Sequence, residues 1–242
     1  MLLPQASAII AAAGSGRRFV RQGGDARGPP KVLADLAGRP ILAHVLEAFA
    51  QVAAVTDIVV AVPEDRLAWA RDAFPGPVRD GCRLAFVAGG AERTDSVARA
   101  LEATDRGTEL VAIHDGARPL IRPAVIEEAL RVAVECGAAV VGRPADHTVK
   151  RVAEDGRVLE TVPRRALWLA QTPQVFRREI LTRAYARRKD VVGRVTDDSQ
   201  LVEALGQTVR MVRGDAANLK ITTPEDLRVC EALLAAGWPF EP

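Results

Sequence analysis

The chain has 242 residues, 48% hydrophobic and 4% aromatic, with a formal net charge of +2. That length suits one α/β domain with a large core, and so small a charge argues against nucleic acid or an acidic membrane surface as the main partner. No stretch approaches the roughly 18 apolar residues of a membrane span, and Cys82, Cys136 and Cys230 are widely spaced, odd in number and without a C-x-x-C pair, which reads as free thiols in a soluble cytoplasmic protein.

In chain order, Ile9 and Ile10 lie in an apolar run short enough for a buried strand. It feeds Ala12-Ala13-Gly14-Ser15-Gly16, followed by Arg17 and Arg18. Glycines let the backbone approach a ligand closely, and successive N–H groups in such a turn can form an anion-binding nest. Phe19 stands where a dinucleotide fingerprint would need its third glycine, and the G-K-S/T of a P-loop is missing. The stretch from Gly14 to Lys31 is long for a strand-to-helix connection. On the residues alone it is either a phosphate loop of a third kind or a surface loop.

Beyond Lys31, a helix is expected from Pro40 to about Val52, with Ile41, Leu42, Val45, Leu46 and Phe49 at helical spacing. Asp57 to Val62 reads as a strand, and Pro63 opens a helix through Phe74. Arg83 to Ala88 is a strand ending at Gly89-Gly90, and Thr94 or Asp95 is expected to cap the helix that follows. Leu110 to Ile113 is a strand ending in His114-Asp115-Gly116; Ala124 to Cys136 is a helix opened by Pro123, and Ala138 to Val141 a further strand. Strands alternating with helices predict a Rossmann-like, mostly parallel sheet with helices on both faces. Ligands bind such sheets at the carboxyl ends of the strands. Gly14-Ser15-Gly16, Gly89-Gly90 and His114-Asp115-Gly116 all fall at such ends, so three separate turns are expected to meet in one cleft.

The pattern then changes. Thr148 to Val152 and Arg157 to Val162 flank Glu154-Asp155-Gly156, a hairpin turn signal, and Leu167 to Ala170 is extended. A hairpin inserted in an α/β chain has edges to cover. The span 146–173 is therefore expected to be a projecting β-arm on a single domain, 1–242, packing against a second copy. Helices are expected over Glu179–Arg188 and Asp197–Leu205, a strand over Thr208–Val212 and an extended stretch over Asn218–Thr222. The last helix should run from Glu225 to Ala235, with Thr223 as its cap.

Several of these residues also have purely structural readings. Asp115 could merely cap a turn. His114 reads as a packed strand-end residue, Arg93 and Asp95 as serving the helix start, and Trp168 as core or interface.

Taken together, the ordered set A-A-A-G-S-G-R-R with Pro30-Lys31, G-G-A-E-R-T-D-S-V, H-D-G-A-R-P, Thr148-Val149-Lys150, V-P-R-R with L-W-L-A-Q-T-P-Q, Val195-Thr196-Asp197 and N-L-K-I-T-T-P-E-D-L resembles the methylerythritol phosphate cytidylyltransferase family over nearly the whole chain. The resemblance implies a nucleotide-diphospho-sugar-transferase-like fold and transfer of CMP from CTP to a polyol phosphate in a homodimer. It implies that Ala12, Ala13, Gly14, Ser15 and Gly16 hold the CTP phosphates, with Arg18, Lys31 and Lys220 as catalytic cations, and that Gly90 and Ser96 contact the cytosine. It further implies Asp115 as ligand of Mg²⁺ or another divalent cation, and Asp115, Gly116, Arg118, Thr148, Arg164, Thr172 and Thr196 around the acceptor. Ribitol 5-phosphate is an alternative acceptor. The chain departs from the family pattern at Ala91, where an acidic residue is usual, at Val32, where glutamine is usual, and in the longer 19–30 loop.

Overall fold

A computed structural model of the protein describes residues 2–14, 19, 30–76, 78–191 and 195–238. Its strands are β1 (Ala6–Ala11), β2 (Asp35–Leu36), β3 (Arg39–Pro40), β4 (Val55–Val62), β5 (Arg83–Ala88), β6 (Leu110–Asp115), β7 (Ala138–Pro144), β8 (Val149–Val152), β9 (Val158–Val162), β10 (Trp168–Arg177) and β11 (Arg210–Arg213). The α-helices are α1 (Ile41–Ala50), α2 (Leu67–Ala73), α3 (Arg93–Ala103), α4 (Pro123–Cys136), α5 (Arg178–Ala186), α6 (Ser199–Glu203) and α7 (Pro224–Ala235).

Seven strands form one sheet in the order β11-β7-β10-β6-β1-β4-β5. All neighbouring pairs are parallel except those made by β10, which runs antiparallel between β6 and β7. Because side chains alternate along a strand, β1 sends Ala6, Ala8 and Ile10 to one face and Ile9 to the other. On the first face they meet Leu42, Val45, Leu46 and Phe49 of α1 and Val125, Ile126, Ala129 and Leu130 of α4. On the second, Ile9, Val59, Val111 and Ile113 pack with Val97 and Ala100 of α3, Leu181 and Ala184 of α5 and Val202 of α6. The expected sheet with helices on both faces is thus present.

Several boundaries differ from expectation, each for a physical reason. The cap of α3 is Glu92 rather than Thr94 or Asp95; Asp95 instead sits at the third helical position and closes a capping box with Glu92. The expected 197–205 helix is shortened to Ser199–Glu203, because Asp197 and Asp198 are held outside it by Gln174. Residues 168–173, grouped with the arm in the sequence, continue into β10 and pair with β7 up to Ala170. Pro173, in a cis peptide with Thr172, is accommodated where the register with β7 shifts. Thr223 caps α7 as expected, accepting from the Asp226 N–H at 3.2 Å.

At the amino ends of the strands, the buried Asp57 carboxylate accepts from Ser7 Oγ and the Asp105 N–H, both at 2.8 Å, and pairs with Arg83 at 2.7 Å. Thr108 and Arg178 join the same network. This network closes the amino end of the sheet, although Thr56 Oγ1, beside Asp57, is buried without a hydrogen-bond partner. At the opposite end, the hairpin β8–β9 leaves the sheet, with Val152, Val158 and Leu159 each more than half exposed.

Candidate functional site

The register of the sheet brings the expected turns together. Ala11 of β1 is level with Ala61 of β4 and Asp115 of β6, and Val62 of β4 with Ala88 of β5. The Gly116 N–H donates to Ala11 O at 3.0 Å, the Ala12 N–H to Ala61 O at 2.9 Å and the Gly89 N–H to Val62 O at 2.8 Å. The contact between the first and second turns leaves no room for a side chain at Gly89, whose Cβ would lie 2.2 Å from Ala13 Cβ, and the start of α3 leaves none at Gly90, whose Cβ would lie 2.3 Å from Asp95 Cβ. Ser96 Oγ ties the second turn by accepting from the Gly90 N–H at 3.0 Å and donating to Glu92 O at 3.0 Å. Ala12, Ala13, Gly14, Gly90, Ser96, Asp115 and Gly116 therefore share one carboxyl-end edge. Ser15, Gly16 and Arg18 lie outside the described residues, as does the 19–30 loop apart from Phe19 and Pro30.

Asp115 is the electrostatic centre of this edge. Its Oδ2 is 3.0 Å from Lys220 Nζ and 3.2 Å from Arg118 Nε, and its Oδ1 is 3.4 Å from Arg93 Nε. Burial alone would raise its pKa, but the charges of Lys220, Arg93 and Arg118 outweigh that and hold the carboxyl well below the usual carboxylate range. Lys220 is positioned by its neighbour. The Ile221 side chain is fully buried with Leu36, Ile41 and Leu120, its N–H donates to Ala117 O at 2.8 Å, and its carbonyl accepts from Lys31 Nζ at 2.6 Å. Lys31 and Lys220, distant in sequence, thus flank the same backbone segment.

Thr172 belongs to the same cluster. Its Oγ1 accepts from the Asp115 N–H at 3.0 Å and lies 3.0 Å from His114 Nδ1. His114 Nε2 is 3.1 Å from the Arg118 carbonyl, which can only accept, so Nε2 carries the proton. Burial pushes the imidazole pKa down to about 4. The ring is therefore neutral, its Nδ1 accepts a hydrogen bond from the Thr172 hydroxyl, and neither nitrogen is left to act as a base.

Three of the expected residues do not join the cluster. Thr148 and Arg164 lie exposed on the arm, and the Arg164 guanidinium donates to Asp146 O. Thr196 is exposed, with its N–H on Gln200 Oε1 at 2.7 Å. Conversely, Arg93, expected to serve only a helix start, pairs with both Asp115 and Asp198, the latter at 2.6 Å. A signal for this is present in the sequence: a cation in the first turn of a helix opposes the macrodipole, so it needs an anion elsewhere to hold it there.

Among the described residues there is no group of three or more Asp, Glu, His or Cys side chains that could cage a metal. Asp115 would be its single carboxylate, with water and substrate phosphates completing the shell, an arrangement usual for Mg²⁺.

Residues 6–236 match the family model described as 2-C-methyl-D-erythritol 4-phosphate cytidylyltransferase. Curated proteins of that name from Syntrophus aciditrophicus and Dehalococcoides mccartyi (strain ATCC BAA-2266 / KCTC 15142 / 195) are 39% and 43% identical, covering 96% and 95% of this chain and 96% of each relative. Among solved structures, a 4-diphosphocytidyl-2C-methyl-D-erythritol synthase from Anaerococcus prevotii superposes with a TM-score of 0.81 at 29% identity, covering 96% of this chain and 99% of the other. The 2-C-methyl-D-erythritol 4-phosphate cytidylyltransferase of Thermus thermophilus gives 0.73 at 36% identity, with the same coverage. A sheet edge crowded with cations, matched along almost its full length in sequence and in fold, places the chain in the 2-C-methyl-D-erythritol 4-phosphate cytidylyltransferase family.

Proposed function

We propose that the Asp115 cluster is the reaction centre of this cytidylyltransferase, with CTP lying along the Ala12–Gly16 and Gly89–Gly90 turns and the acceptor phosphate beside Lys220, Arg118 and Thr172. The transfer joins CMP from CTP to 2-C-methyl-D-erythritol 4-phosphate. A phosphate oxygen of the acceptor attacks the α-phosphorus of CTP. A new P–O bond forms, the bond from the α-phosphorus to the bridging oxygen breaks, and pyrophosphate leaves. A phosphate monoester has a second pKa of about 6, so the nucleophile is already an anion at neutral pH and needs no base. What it needs is in-line placement and relief of repulsion between two anions. The convergence of Lys220, Arg118 and Arg93 on one carboxylate at the sheet edge carries this reading. Arg18 and Lys31 are assigned to the CTP phosphates. A divalent cation held by Asp115, Mg²⁺ by its donor set, would supply further charge neutralisation at the phosphates.

The hairpin supports assembly as a homodimer. Val152, Val158 and Leu159 are exposed on a two-stranded ribbon with no sheet behind it, and such apolar surface is characteristic of an interface. Thr148 and Arg164 would then serve the acceptor site of the second subunit, which accounts for their absence from the cluster of their own chain. We read residues 1–242 as one catalytic domain bearing this arm. No helix among the described residues is long and apolar enough to cross a membrane. The three free cysteines, two of them buried, favour a reducing, cytoplasmic setting.

The test is pyrophosphate release from CTP and Mg²⁺ with methylerythritol phosphate and ribitol 5-phosphate in parallel. Fast release with the first alone is expected. Release with ribitol phosphate alone would keep the phosphate chemistry and overturn the acceptor.

A further inference from the structure

Of the three cations on Asp115, Arg118 is also held by Asn218 O, at 2.8 Å, and Arg93 by a second carboxylate. Arg93 Nη1 donates to Asp198 Oδ2 at 2.6 Å, and Asp198 is fully buried. The other oxygen of Asp198 accepts the Tyr185 hydroxyl. The main chain there is fixed as well, because the Asp198 and Ser199 N–H groups both donate to Gln174 Oε1 at 3.0 Å. Gln174 is itself buried in β10, two residues beyond Thr172. Lys220, by contrast, reaches Asp115 from a side chain that is 37% exposed. An arriving phosphate competes with Asp115 for Lys220, the most exposed of the three cations, because a phosphate monoester carries more negative charge than a carboxylate. It cannot draw Arg93 away without stranding a buried carboxylate.

We infer that Arg93 is a positioning residue: anchored by Asp198, it keeps the Asp115 carboxylate oriented and neutralised while Lys220 turns to the substrate phosphates. The same guanidinium couples Asp115 to the 195–200 segment, since Asp198 lies two residues beyond Thr196. The inference rests on the reading of Asp115 as reaction centre.

The test uses the full-length enzyme with Arg93→Lys, Arg93→Ala, Asp198→Asn and Asp115→Asn, and the double variant Arg93→Ala/Asp198→Asn. Arg93→Lys, which keeps the charge but cannot span two carboxylates, is expected to lower kcat about 10- to 100-fold, the range seen when groups that orient a ligand are removed, with a melting temperature close to that of the parent. Millimolar guanidinium is expected to restore part of the kcat of Arg93→Ala, and methylammonium is not. The double variant should be no slower than Arg93→Ala, because the two residues act as a unit. Should Arg93→Ala not fold with Asp198 left unpaired, Arg93→Lys and Asp198→Asn carry the test. Parental kcat in Arg93→Lys, or a loss in Arg93→Ala that guanidinium does not restore, overturns the inference. If Asp115→Asn is inactive while the Arg93 variants turn over normally, only the role of Arg93 falls; if Asp115→Asn is fully active, the reading of the site falls with it.

Discussion

Single side chains at this edge are expected to matter through charge. Lys220→Ala and Lys31→Ala should each lower kcat by about 10²- to 10³-fold while the proteins stay folded, the range for losing one donor that stabilises transition-state charge; steady-state kinetics beside a melting curve decides this, and near-normal turnover would remove that lysine from the mechanism. His114 gives a prediction with a sign. Its folded pKa, about 4, lies below the usual 6.5, so the unfolded chain binds the additional proton between those values. Its contribution to stability is complete above pH 6.5 and is lost as pH falls toward 4, by roughly 3 kcal/mol. Denaturant midpoints measured across that window should therefore fall less in His114→Gln than in the parent. The sequence made Asp115 and Lys220 legible because each sits in an ordered motif beside a strand end or a helix start. It flagged Arg93 only as a cation in need of an anion and hid which one, since Asp198 is more than a hundred residues away and brought near only by folding.

Among the elements, the two glycine turns are where local chemistry and tertiary packing coincide. Gly89→Ala would drive a methyl into Ala13 and part the turns assigned to CTP, and Gly90→Ala would drive one into Asp95 and push the second turn off α3. A loss of up to about 100-fold in kcat/KM is expected for a displacement near 1 Å, to be measured with CTP as the varied substrate. The alternation of strands and helices through Pro144 was legible because buried parallel strands are short apolar runs between helical periods. β10 was not. Its pairing with β6 and β7 is a matter of long-range register, and Pro173 in its middle argued against a central strand. The cap of α3 was missed for a smaller reason: the Glu92…Asp95 spacing is that of a capping box, but Thr94 and Asp95 are the stronger caps when residues are taken singly.

At the scale of the molecule, the arm should govern assembly. Leu159→Asp on β9 is expected to shift the protein toward monomer in light scattering and to lower activity in parallel, because the partner's acceptor site would lose Thr148 and Arg164. Monomer with unchanged activity would separate the arm from catalysis. That an arm exists could be read from its turn residues and alternation; where it ends could not, since β10 runs unbroken from the arm into the sheet. The two ends of the sheet also differ in a way that bears on motion. The amino end is closed by the Asp57 network, whose donors come from β1, β5 and the loop before β6, whereas the carboxyl end leaves its charges facing a cleft. Amide protons of Ser7 to Ile9 should therefore exchange with solvent only when the whole chain unfolds, while those of Ala13, Gly90 and Glu92 should exchange through small local openings. The run from Ser7 to Ala13 would then carry a gradient of protection, slowest within β1 and fastest in the turn that follows it.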